Sequence, residues 1–99
     1  MTTNEFQELC AKTVSDIDTK YNIVRDSQLC FVQLVEEVGE LAKEINKPKL
    51  RDEKIDQENL KGEFADVTLL LFALAKMLDV KIEEATESKI KILKGRHDL

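Results

Sequence analysis

LKGEFADVTLLLFALAKML, residues 60–78, places Leu60, Phe64, Val67, Leu71, Leu74 and Leu78 at alternating steps of four and three. That is the period of a helix packed along its length, and no strand alternates in this way. Leu69, Leu70, Phe72 and Ala73 add apolar surface on the remaining sides. A helix apolar around its circumference, in a chain of 99 residues, needs more cover than one protomer supplies, which predicts a subunit interface. The run from Val67 to Ala75 is too short to span a bilayer, which takes about 20 residues.

Working outward, the same periodicity recurs. A first helix is expected at about residues 3–19, opened by a Thr2-x-x-Glu5 capping box and striped by Phe6, Leu9, Cys10, Val14 and Ile17. A second is expected at about 28–46, capped by Ser27, with Phe31, Leu34, Val35, Val38, Leu41, Ala42 and Ile45 facing inward and Pro48 just beyond its end. The charged stretch KPKLRDEKID reads as a solvated connector with room for a helical turn. The quoted helix then runs from about 57 to 77 behind an Asp56 cap, and a last helix from about 82 to 94 is ended by Gly95. No segment has strand alternation with hairpin turns. The prediction is one all-α domain over residues 1–99, a four-helix bundle-type protomer that assembles through helix packing into a dimer or dimer of dimers.

Charge limits the partners. Fifteen basic against 20 acidic residues leave a formal charge of −5, the wrong sign for tracking a phosphate backbone, so no polymeric nucleic acid is expected as partner; with no run long enough to span a bilayer, no membrane is expected either. Cys10 and Cys30 lie in apolar helical patterns without CxxC spacing, and no signal-like apolar region opens the chain; reduced thiols in a cytoplasmic protein are expected.

The acids carry the chemistry. At about 100° per residue, Glu37 and Glu40 point only about 60° apart, and Glu36 lies one step round. Glu63 and Asp66 repeat that step of three on the next long helix, flanking Phe64 and Val67, which are expected to face inward. Packed as neighbours, the two helices bring these acids face to face, where like charges repel unless a cation offsets them. Oxygen ligands without histidine or cysteine suit Mg²⁺, with Mn²⁺ as a substitute. A bundle di-iron site needs two Glu-x-x-His elements, and His97 is the chain's single histidine. Gly39, within the first acid group, weakens a helix by about 1 kcal/mol relative to Ala, a cost intelligible if backbone or ligand approaches closely there.

This pattern, Glu36, Glu37 and Glu40, a connector, then Glu63 and Asp66, resembles the MazG-like nucleotide pyrophosphohydrolases of the all-α NTP pyrophosphatase group. The likeness extends through the apolar run after EFADV to IEEATESKIKILKGRH. It implies a dimer-based bundle hydrolysing a nucleoside triphosphate, including deoxy or non-standard ones, to the monophosphate and pyrophosphate in nucleotide-pool house-cleaning. By position, Glu37, Glu40, Glu63 and Asp66 match the Mg²⁺ ligands, and Glu36 and Glu37 the catalytic pair, with Glu36 orienting water. Many relatives carry an asparagine, then a lysine and an arginine on the last helix. Here Lys89, Ile92 and Arg96 stand at those places, with Lys89 or Lys91 as the substitute cation and Arg96 as a further phosphate contact. The base would be held by an aromatic or amide group; Tyr21, Phe31 and Gln33 are the choices, and Phe31 is assigned to the core. The alternative function is a catalytically silent helical module that binds nucleotide or metal, or serves as an accessory protein.

Overall fold

The computed structural model describes residues 1–99. It contains α1 (Thr3–Tyr21), α2 (Ser27–Ile45), a single turn α3 (Lys47–Leu50), α4 (Gln57–Met77) and α5 (Ile82–Arg96), with no strand. Four long helices are present as expected, and the connector holds one extra turn begun near Pro48, a residue whose fixed φ suits a helix start. No helix is long and apolar enough to cross a membrane.

Local chemistry sets the ends. Thr2 and Glu5 form the expected reciprocal capping box, and Asn22 closes α1 in the left-handed conformation at φ 55°. The cap of α2 is Asp26, whose carboxylate accepts the N–H of Leu29 at 2.8 Å; Ser27, expected as the cap, is the first helical residue. Asp56 caps α4, accepting from the N–H groups of Glu58 and Asn59 at 3.1 and 3.2 Å. Gly95 does not end α5. The helix runs through it to Arg96, helped by Lys94 and Arg96 against its negative end, and the left-handed residue that follows is Asp98.

α4 is the central helix, with α2 and α1 packed on it and α5 against α1. Gln7, nearly fully buried, ties the start of α5 to α1: its amide nitrogen donates to the carbonyl of Val80 at 2.7 Å, and its oxygen accepts the N–H of Ile82 at 3.0 Å. Phe6 meets Phe72 edge to face with ring centroids 5.6 Å apart. Cys10 and Cys30 are buried and free, and burial pushes both thiols up, away from the reactive thiolate.

Only 8 of 99 residues are buried, and this corrects several inward assignments. Phe31 is 56% exposed and Phe64 53%, and Val35, Val38 and Ile45 also stand largely in the open. The protomer exposes 7526 Å², against about 5,700 Å² for a typical folded monomer of this mass. Its radius of gyration is 16.2 Å, where about 13 Å is usual for this length.

Candidate metal and nucleotide site

α2 and α4 run antiparallel, and each step of three or four toward the end of α2 meets a step of three or four back along α4. Glu37 meets Asp66, and two turns on Glu44 meets Asn59. This register gathers the acids. One carboxylate oxygen from each of Glu37, Glu63 and Asp66 lies within 4.8 Å of the others. Oxygens held at about 2.1 Å around one Mg²⁺ stand about 3 to 4 Å apart, so small rotamer changes bring the three onto a common ion.

Two further observations fit a cation. The Oε2 atom of Glu63 is buried and has no hydrogen-bond donor, an unfavourable state for a carboxylate oxygen unless positive charge compensates it. The carboxyl of Glu37 is raised above its ordinary value, first by burial and then by the charges of Asp66, Glu63, Glu40 and Glu36. Glu40 stands outside the three-oxygen group and instead shares with Glu63 the wall of an adjoining recess. Glu36 is exposed and borders the cavity described next. Gly39 meets nothing within 4 Å of where a Cβ would lie, so no close approach inside the protomer explains it.

On the side of Glu36, Glu37 and Asp66 lies a cavity of about 330 Å³ between α1, α2 and α4. Val14, Ile17, Leu69 and Leu70 form its apolar walls, and Asp18, Arg25 and Gln33 its polar corner. Arg25 is bidentate to the buried Asp18, Nε to Oδ2 at 2.7 Å and Nη2 to Oδ1 at 3.0 Å, and Nη1 donates to Oε1 of Gln33. With its oxygen so engaged, the Gln33 amide is left with its two N–H donors. Among the amide and aromatic choices for a base contact, Gln33 alone lines this cavity; Tyr21 and Phe31 do not. Lys89, Lys91 and Arg96 are exposed on α5 and line neither this cavity nor the adjoining recess.

Sequence patterning overlooks Asp18, Arg25 and Glu44. Asp18 and Arg25 meet only because the turn after α1 folds back, which no helical period announces. Glu44 leaves a trace, a carboxylate set between Leu41 and Ile45 on the apolar stripe, and it is 1% exposed.

Residues 25–99 match the family model described as the MazG nucleotide pyrophosphohydrolase domain. The chain is 43% identical over 60 residues to the uncharacterized protein YpjD of Bacillus subtilis (strain 168), a match covering 56% of this chain and 52% of that relative. The chain thus spans about half the length of the curated relative it matches. No solved structure matches it.

Proposed function

The chain belongs to the MazG nucleotide pyrophosphohydrolase domain family, and we propose that it hydrolyses nucleoside triphosphates, deoxy or non-standard ones among them, to the monophosphate and pyrophosphate with Mg²⁺. The observation that carries this reading is the convergence of Glu37, Glu63 and Asp66 beside a cavity of nucleoside size, with an uncompensated oxygen on Glu63. Glu37, Glu63 and Asp66 would hold the ion, with Glu40 one turn away on α2. When bound, Mg²⁺, or Mn²⁺ in its place, offsets charge on the phosphates and lowers the pKa of water.

The chain's own residues do the rest. The apolar walls take the nucleoside, and the Gln33 amide, fixed by Arg25, offers donors to it. Glu36 borders the same cavity outside the three-oxygen group, and in this reading it orients the attacking water and accepts its proton. Water oxygen bonds to the α-phosphorus, the α–β bridging bond breaks, pyrophosphate leaves with the bridging oxygen, and the proton goes to the carboxylate.

The open protomer supports self-association into a dimer or dimer of dimers. Its excess exposure, about 1,800 Å² over a typical monomer, matches one side of a large obligate interface. Lys89, Lys91 and Arg96 would then reach phosphate only from another protomer's α5. The deciding experiment is a panel of ribo- and deoxynucleoside triphosphates with Mg²⁺, its products resolved by chromatography. Monophosphate and pyrophosphate in equal amounts, stopped by EDTA, are expected; diphosphate with orthophosphate would mean attack at the terminal phosphate and overturn the mechanism.

A further inference from the structure

Past Glu40 and Glu63 the α2–α4 groove opens into a second recess of about 310 Å³, lined by no hydrophobic residue. Lys43, Lys47 and Arg51 line it together with Glu40 and Glu63, Lys43 lying one turn past Glu40 on α2. The turn of α3 makes this possible. It folds the chain back after α2, with the Arg51 N–H donating to the Lys47 carbonyl at 2.9 Å, so that Arg51 returns to the recess already bordered by Lys43.

The cations are not equivalent. Lys47 is paired with the buried Glu44 at 2.9 Å, whereas Lys43 and Arg51 take part in none of the chain's salt bridges. Two unpaired cations beside two carboxylates form a mixed lining. A purely basic recess suits a bare phosphate and a purely acidic one suits a metal ion; a wall of each suits a phosphate chain that carries its own divalent cation. The order along the groove agrees: apolar cavity, then Glu37 and Asp66, then Glu40 and Glu63, then the basic end. Lys43 lies six residues past Glu37, about 9 Å along the helix axis, a separation of the order of a diphosphate's reach.

We propose that Lys43, Lys47 and Arg51 form the seat for the substrate's β- and γ-phosphates, and hence for pyrophosphate on release. This rests on the reading that the acids hold a divalent cation and that the α–β bond is cleaved. It assigns to the end of α2 and the connector a role that the α5 cations do not fill within the protomer.

Calorimetric titration of the full chain with Mg²⁺ plus inorganic pyrophosphate, and separately with a nucleoside monophosphate, tests the seat without requiring turnover. In the double variant Lys43→Gln, Arg51→Gln, pyrophosphate binding should weaken by roughly tenfold or more while monophosphate binding shifts by less than about twofold. The charge-matched control Lys12→Gln, Lys20→Gln on α1 should leave both unchanged, and circular dichroism reports whether each variant is folded. Pyrophosphate should also inhibit wild-type hydrolysis competitively with the triphosphate. Undiminished pyrophosphate binding in the folded double variant, no binding to the wild type, or non-competitive inhibition would each overturn the seat. Loss of pyrophosphate binding in the variant, with no triphosphate cleaved by the wild type, would uphold the seat and defeat the catalytic reading instead.

Discussion

The carboxylate of Glu44 accepts the backbone N–H of Asp56 at 3.0 Å, so the residue that caps α4 is itself held from the end of α2. The same carboxylate takes Lys47 Nζ at 2.9 Å and the amide of Asn59. One buried side chain therefore sets the register of α4 against α2, and that register is what puts Glu63 and Asp66 opposite Glu37.

Glu44→Ala should lower Tm by on the order of 10 °C, because it strands three donors around an emptied site. Mg²⁺ should stabilise this variant less than the wild type at equal concentration, since the acid pairs lose their alignment. Thermal circular dichroism with and without Mg²⁺ measures both effects; an unchanged Tm would show that the connector and α4 are held by other contacts.

Acid should expose the same contact. The hydrogen bonds from Asn59 and Lys47, followed by that from the Asp56 backbone, hold the Glu44 carboxyl below its ordinary value. A carboxyl depressed on folding contributes stability that is fully present above its unfolded pKa, about 4.3, and lost as pH falls through the lower folded value. Urea unfolding from pH 7 to pH 3 should show the wild type losing stability on this limb and Glu44→Gln losing less. Parallel curves for the two proteins would assign acid sensitivity elsewhere.

What was legible in the sequence, and what was not, follows from how local each determinant is. Asp56 caps α4 through its own next residues, and the helix occupies residues 57–77 as its spacing predicts. The steps of three at Glu37 and Glu40 and at Glu63 and Asp66 are helical geometry, so the acid face could be read before any packing was known. Phe31 and Phe64 read as core because periodicity reports a face that is apolar, and cannot say whether the same chain covers it. Glu44 depends on partners up to fifteen positions away, and Arg25 on a turn, so neither role is written in a period. Gly95 ends a helix only where the chain needs to turn, and here it does not.

Glu37→Gln should raise the metal-free Tm while removing most of the stabilisation that Mg²⁺ gives. The wild-type carboxylate is half-buried among Asp66, Glu63, Glu40 and Glu36, so neutralising it relieves repulsion. Binding to the folded state alone raises stability by mass action, so loss of a ligand shows as a flattened Tm response to Mg²⁺. A variant stabilised by Mg²⁺ as strongly as the wild type would take Glu37 out of the ligand set.

Asp66→Ala should remove at least roughly a hundredfold of turnover with the helical spectrum intact, because Asp66 is exposed on the groove and supports no buried contact of the fold. Steady-state assay beside circular dichroism checks it. An Asp66→Ala protein that remains active and still needs Mg²⁺ would leave Glu37 and Glu63 to hold the ion with water.

The exposed apolar face gives the prediction on assembly. Phe31, Val35 and Val38 on α2 and Phe64 and Leu71 on α4 are each 41% exposed or more, although their spacing is that of inward positions. Leaving such side chains in water forgoes about 1.5–3 kcal/mol for each large one that a partner would bury. A second copy presents the same face, and closed twofold pairing satisfies both at once. Sedimentation at micromolar concentration should therefore show a dimer or larger species. Val35→Glu, which places a charge within that face, should shift the protein to monomer and lower Tm, whereas Ser15→Glu, at an exposed position of α1, should change neither. A wild type that sediments as a monomer and hydrolyses triphosphate would mean that these side chains stay in water, and that one open protomer suffices for the chemistry.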